Sequence, residues 1–487
     1  HNKTGLATYR ERLARRGDWE GIWDGIVRRC RRQTHHAGLA QARERDRGDR
    51  SALALALKLP ADPEKARDVA FKIIRDGGGG GSIEEVHVDD DPKKKKVSCF
   101  SEEGREELGK IGNLFVQRVD AGASLVGFEA WCELFMEEWK PLEGTHGGEW
   151  RLVEEMTFPL FQDVLHKMPK GKAAGAGGWH VELLLEAGPR VQRLFYDAMM
   201  ADLKSGHLPA NWHRVLYALL KKGPPNNPNV VQENREIALM AQDMKLFLQM
   251  VRRVSYSRLV GRLAREQAGW LAGFGSVDPA TAAAIVIQQA RRLEHPLWLL
   301  YVDLATFFPA CNRGIIKAAE LLHGLPRQVV KLTALIYGSH EDPDSAVQCQ
   351  YDSAGGLGAP FKNHMGALMG CVLSPDKAKM LLNTVLVAIQ AVAKGVRLWG
   401  FGADQQESAW RAILQLCYAD DHLATFTSEA ELKKAWSIWR LWAPITGCSL
   451  GVKKKLKTVV TGVRYEGGTA RSMHDPKLRR ADGSCVQ

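Results

Sequence analysis

Tyr418-Ala419-Asp420-Asp421 sets two adjacent carboxylates between two apolar runs, Ile413-Leu414-Gln415-Leu416-Cys417 and His422-Leu423-Ala424-Thr425-Phe426. Both flanks are short and rich in Leu, aromatic and β-branched residues, which predicts the strands of a hairpin. Asp favours turns, so the pair is expected at the tip. Carboxylates this close repel unless a cation or proton neutralises them. Mg²⁺ suits such a pair, because it takes one or two carboxylates plus substrate phosphate oxygens. Mn²⁺ is the second candidate for the same oxygen donors. Taken alone, the tetrapeptide also reads as an ordinary turn with two Asp.

A third carboxylate belongs with them. Leu297-Trp298-Leu299-Leu300-Tyr301-Val302 is an apolar run close behind Pro296, and a buried strand fits it better than a helix. Asp303 stands where that strand ends. An apolar strand ending in Asp and a hairpin tipped by Asp-Asp can gather three carboxylates around two metals. That is the device for in-line displacement at phosphorus, in which the ions stabilise attacking and leaving oxygens.

The wider sequence resembles LINE-type non-LTR retrotransposon reverse transcriptases. Asp303-Leu304-Ala305-Thr306-Phe307-Phe308 resembles motif A of that family, and Tyr418-Ala419-Asp420-Asp421 motif C. Gly366-Ala367-Leu368-Met369-Gly370-Cys371-Val372-Leu373-Ser374-Pro375 resembles motif B, G-x-x-Q-G-x-x-L-S-P. Gly447-Cys448-Ser449-Leu450-Gly451-Val452-Lys453-Lys454-Lys455 resembles motif D. Upstream, Lys172 to Gly178, Leu219-Leu220-Lys221-Lys222-Gly223, Asn234-Arg235-Glu236-Ile237-Ala238-Leu239, and Gln267-Ala268-Gly269-Trp270 with Asp278 follow in the family's order. The resemblance covers residues 150–460. The chain departs from the pattern at Met369 (Gln in the family), Gly177 (Asp), Glu236 (Pro) and Gly451 (Asn), and Phe307-Phe308-Pro309 replaces A-F-D. None of these removes a carboxylate of the triad.

The resemblance implies an α+β fold: right-hand polymerase fingers and palm, the palm an antiparallel sheet backed by helices, preceded by a basic helical N-terminal region. It implies RNA-directed DNA polymerase activity, in which a primer 3′-hydroxyl attacks the α-phosphate of a dNTP. Asp303 and Asp420 then bridge two Mg²⁺ ions, Asp421 supports the primer-side metal or the hairpin, and the Leu304 carbonyl serves the nucleotide-side metal. Lys221, Lys222 and Arg235 grip the triphosphate. Phe308 is the steric gate against a ribose 2′-hydroxyl, Gly370 lets backbone approach the nucleotide, and Met369 occupies the position that contacts the template–nucleotide pair. Lys453 or Lys454 protonates the leaving pyrophosphate. The implied partners are an RNA template, a DNA primer or target, and dNTP. An endonuclease domain is expected elsewhere in a longer polyprotein. The competing reading is an RT-like protein of weak or no activity that serves as a scaffold binding RNA or RNA–DNA hybrid.

Composition fits a polyanionic partner. The chain has 487 residues, 45% hydrophobic and 25% charged, with a formal net charge of +11. Excess Lys and Arg gain from counterion release at phosphates. Nine scattered cysteines without a C-x-x-C pair argue against a zinc knuckle or a disulfide framework, and for a reducing compartment. No apolar run reaches the ~18 residues a membrane helix needs, so no membrane partner is expected.

Along the chain, residues 1–76 predict basic helices. A Gly-rich and Lys-rich linker is expected over 77–100, where Pro92-Lys93-Lys94-Lys95-Lys96-Val97 resembles a nuclear localisation signal. That run points to the nucleus, with a cytoplasmic ribonucleoprotein stage. An amphipathic helical lead-in is expected over 101–150, with Phe115, Phe128, Trp131, Leu134, Phe135 and Trp139 toward a core. Fingers are expected over 151–296 and palm over 297–460, including helices from Pro375 to Ala393 and from Ser428 to Leu441, with Ser428 as N-cap. Residues 461–487 are expected as a tail, the thumb absent or truncated.

Overall fold

The computed structural model describes residues 83–119, 123–136, 151–178, 180–206, 208–222, 226–264, 266–271, 273–338, 345–398, 411–451, 458–467 and 469–479. It is a mixed α/β structure in which most strand pairings are antiparallel. The basic stretch expected over 1–76, and Lys453, lie outside the described residues.

The sheet that carries the acidic residues has five strands. In chain order they are β5 (Leu297–Val302), β12 (Gln415–Tyr418), β13 (Asp421–Phe426), β15 (Val459–Glu466) and β16 (Thr469–Ser472). Their spatial order is β12-β13-β5-β15-β16, antiparallel throughout. β5 is central, which is why its sequence is a near-continuous apolar run rather than an alternating one. Only Tyr301 within it is exposed. Part of the stretch expected as a tail thus supplies two strands.

Strand alternation splits the sheet's packing. Trp298, Leu300 and Val302 point into the larger core, shared with the helices Arg313–Leu322, Ser374–Val392 and Glu429–Thr446. Burying an aliphatic or Phe side chain such as Phe426 there contributes roughly 1.5–3 kcal/mol. Leu297 and Leu299 face a smaller cluster with Val286 and Ala290 of the helix Val277–Arg292. Ser428 caps its helix as expected, its side chain accepting from the Glu431 amide. The helix runs on to Thr446 because Trp436, Trp439 and Trp442 continue its buried stripe.

A second sheet, in the order β4-β3-β7-β8, contains β3 (Arg214–Lys221), β4 (Asn234–Leu239), β7 (Val347–Ser353) and β8 (Gly356–Leu357), and β9 (Phe361–Asn363) also pairs with β7. β3 and β7 run parallel, although 134 positions separate Val215 from Cys349, its partner in the register.

Residues 83–100, within the expected linker, form a hairpin of β1 (Glu85–His87) and β2 (Lys96–Ser98). It docks on the second sheet's surroundings. The His87 amide donates to Asn229 O at 3.1 Å, and the Asp90 carboxylate accepts from the Val231 and Gln232 amides at 2.6 and 3.1 Å. In the Lys run, Lys94, Lys95 and Lys96 stand in exposed ion pairs with Asp89, Glu103 and Glu85. The lead-in comprises the helices Glu102–Val119 and Leu125–Phe135. Phe115, Phe128 and Trp131 are buried as expected, whereas Leu134 is exposed. No helix among the described residues is long and apolar enough to cross a membrane.

Candidate active site

The ladder between β5 and β13 ends with His422 opposite Val302. One further step of that register sets Asp421 against Asp303. By alternation both belong to the face that carries Tyr301 and Leu423, opposite the larger core. β12 and β13 pair up to Tyr418 and Asp421, so the turn itself is Ala419-Asp420. Ala419 has φ 60°, a left-handed conformation that a tight two-residue hairpin demands and that costs a residue with a Cβ. Asp420 lies near enough to Cys311 for its charge to add to the burial that pushes this thiol's pKa up. His422, beside Asp421, adds no positive charge: burial holds its pKa down to about 3. Its Nε2 meets Gln415 Oε1 at 3.0 Å.

Asp303 is held by backbone on its other side. β6 (Leu304–Ala305) pairs with β14 (Ser449–Leu450), and the Gly451 amide donates to Asp303 O at 2.7 Å. Since that bond marks the hydrogen-bonded step of an antiparallel ladder, the adjacent Leu304–Leu450 step is the unbonded one. The Leu304 carbonyl is then directed away from β14. Gly451 packs tightly on the carboxylate: a Cβ there would lie 2.2 Å from Asp303 Oδ2. A larger side chain such as Asn has no room beside Asp303 as it stands.

The turn has a buttress that sequence reasoning noticed only as a motif. The Cys417 amide donates to Glu266 O at 3.0 Å and the Ala268 amide to Cys417 O at 2.9 Å. Buried Gln267 donates from Nε2 to Ala419 O at 3.1 Å and accepts from the Gly269 amide at 2.9 Å. Gly269 must lack a side chain, because a Cβ would meet Ala419 N at 2.0 Å. The order Gln-Ala-Gly was the available signal; nothing local in it names Ala419 as the partner.

Phe308 lies in the short helix Phe307–Ala310, half-buried, with Trp270 edge-on at 5.4 Å between ring centroids. The 366–370 stretch joins this helix to the second sheet. At one end the Gly366 amide donates to Cys311 O at 2.9 Å and the Ala367 amide to Phe308 O at 2.8 Å. At the other end the Ala238 amide of β4 donates to Met369 O at 2.6 Å, and a Cβ on Gly370 would lie 2.8 Å from Ala238 O. Buried Arg313 braces the same stretch, donating to the carbonyls of Gly366, Asn363, Met365 and Tyr337. Burial lowers its pKa to about 10, still charged at neutral pH.

Lys221, Lys222 and Arg235 gather at the end of β3 and β4 where Lys221 pairs with Asn234. That end is about three residues, or roughly 10 Å of strand, from Ala238. Glu236 accepts from the Tyr351 hydroxyl at 2.9 Å, and burial pushes its pKa up to about 7, partly offset by the charge of nearby Lys222.

Asp303, Asp420, Asp421 and the Leu304 carbonyl are hard oxygen donors, and their chemistry fits Mg²⁺ or Mn²⁺. As the side chains stand, no group of three or more His, Cys, Asp or Glu among the described residues is drawn together to hold an ion. No family model matches the chain, and no curated protein matches it.

Proposed function

We propose that the chain is an RNA-directed DNA polymerase of the non-LTR retrotransposon type. In this reading the five-stranded sheet is the palm, and β3, β4 and β7 belong to the fingers. The observation that carries it is the β5–β13 register, which draws Asp303 to the Asp420-Asp421 turn from more than a hundred positions away in the sequence. The bridge from Phe308 through residues 366–370 to Ala238 adds support, since it links the acidic site to β4, whose other end carries Arg235.

The reaction forms a bond from a primer 3′-oxygen to the α-phosphorus of a dNTP and breaks the bond to pyrophosphate. Its catalysis is mostly positioning and charge stabilisation. Two divalent ions, when bound, stabilise the attacking and leaving oxygens. Asp303, Asp420 and the Leu304 carbonyl would hold them, with Asp421 steadying the primer side. Lys221, Lys222 and Arg235 bind the triphosphate, Arg as a planar fork and Lys as a point charge. Phe308, backed by Trp270, packs under the sugar and excludes a 2′-hydroxyl. Gly370 leaves backbone open to the nucleotide beside Met369, and Lys453 gives the pyrophosphate its proton. RNA template, DNA primer and a nuclear site of action complete the proposal.

The test is extension of oligo(dT) on poly(rA) with dTTP and Mg²⁺, with Asp420→Asn as control. Extension by the parent and not the variant is expected. Binding of RNA–DNA hybrid without extension favours the scaffold reading, for which the replacement of the family's Gln by Met369 argues. Phe308→Val should admit ribonucleotides, and unchanged sugar selection removes its gate role.

A further inference from the structure

We infer that Thr458 is a positioning residue for Asp303, clamping its backbone where the strand changes partners. On the side away from β13, β5 is paired with β15 as far as Tyr301 and Val459. From Leu304 onward the partner is β14, with Leu304 opposite Leu450. Asp303 falls between the two ladders, and a backbone N–H in such a gap needs another partner. Thr458 is fully buried there. Its hydroxyl accepts from the Asp303 amide at 3.3 Å and approaches Asp303 O as a donor at 3.4 Å. The Gly451 amide reaches the same carbonyl at 2.7 Å.

The residue type is what the gap requires. A hydroxyl is both donor and acceptor, so one side chain can meet the N–H and the C=O of the same residue. The neighbouring Val459 and Val460 carry no such group. The carboxylate of Asp303 leaves from the Cα between those two backbone groups. Fixing both therefore fixes the direction of the Cα–Cβ bond. Gly451 limits the carboxylate itself, since a Cβ there would lie 2.2 Å from Oδ2. Thr458 and Gly451 thus hold one residue from the two ends of the stretch 452–457. Thr458 works through Asp303 and is not itself a catalytic group. If it served packing alone, its methyl would matter and its hydroxyl would not. The consequence for catalysis rests on the polymerase reading; the clamp does not.

The experiment compares the full chain with Thr458→Val, which keeps the branched shape without the hydroxyl, and Thr458→Ser, which keeps the hydroxyl without the methyl. Hydrogen exchange of the peptide that contains Asp303 reads the clamp. Exchange in the Val variant should rise about fivefold or more, the scale of one net hydrogen bond, while the Ser variant stays near the parent. Primer extension on poly(rA) with dTTP reads the site. The Val variant should need severalfold more Mg²⁺ for half-maximal extension and lose about tenfold or more in kcat, as a displaced catalytic group does. Ser should restore most of both. Unchanged exchange in the Val variant overturns the clamp. Faster exchange with an unaltered Mg²⁺ requirement and kcat overturns its service to the site, and so does a Ser variant as impaired as Val. Should the Val variant not fold, Thr458→Ala is measured in its place by the same criteria. A parent chain that never extends, with exchange as expected, overturns the polymerase reading and leaves the clamp standing.

Discussion

The Gln267 side-chain nitrogen lies 3.1 Å from the carbonyl oxygen of Ala419, a residue 152 positions later in the chain. One buried amide thus holds the left-handed residue that precedes Asp420, while its oxygen holds the Gly269 amide. Gln267→Ala leaves both backbone groups without their partner, which costs about 1–3 kcal/mol. Urea unfolding should show a lower midpoint at unchanged slope. In the proposed polymerase reading, extension by the folded variant should fall in kcat more than it rises in KM for dTTP. An unaltered midpoint would remove the buttress role.

Gly451→Ala tests the space around Asp303. The added methyl would sit 2.2 Å from Oδ2, so the carboxylate must rotate or the β6–β14 pairing must open. Misplacing a catalytic group by about 1 Å costs on the order of 10²-fold in rate. In the proposed polymerase reading the expected result is a folded protein with extension reduced on that scale and a higher Mg²⁺ requirement. Full activity at the parent's Mg²⁺ concentration would show that Asp303 has another position available.

Glu236→Gln tests the electrostatics of β4. The carboxyl's folded pKa, about 7, lies above its ordinary value of 4.5, so folding favours the protonated form. Its contribution is fully present below pH 4.5 and is lost as pH rises through 7. Gln keeps an oxygen for the Tyr351 hydroxyl and carries no charge. The variant should be more stable than the parent at pH 8 and equal to it near pH 4, with a flatter profile between. Chemical denaturation across that window reads the difference; parallel profiles would mean that Glu236 is already solvated.

Arg313→Met removes the donors that hold the carbonyls of Gly366, Asn363 and Met365. Hydrogen bonds from charged donors contribute roughly 1.5–3 kcal/mol each, so the loss should exceed about 3 kcal/mol. Arg313→Lys should recover little of it, because a point charge cannot reach several carbonyls as a planar fork does. Thermal unfolding of both variants checks this, and a Lys variant as stable as the parent would contradict the fork argument.

The acidic strand ends were legible because they are local: an apolar run closing on Asp303, and two short runs about Ala419-Asp420. Ser428 was legible as an N-cap for the same reason, as its bond to Glu431 spans one helical turn. The hairpin at 85–98 was hidden behind a Lys-rich composition that reads as solvated linker. β15 and β16 were hidden because their reward is pairing with β5, which the local sequence does not name. The links from Gln267 to Ala419 and from Arg313 to Gly366 join residues far apart in the chain, and neither leaves a periodic trace. Lys453 was assigned by resemblance alone and lies outside the described residues.

The central placement of β5 has a consequence for any shortened form of this chain. Its two neighbours, β13 and β15, both arrive late, and a product ending before Val459 lacks the second of them. Such a product would present Leu297 to Val302 as a naked apolar margin, a template for self-association. Clipped or prematurely stopped copies should therefore precipitate.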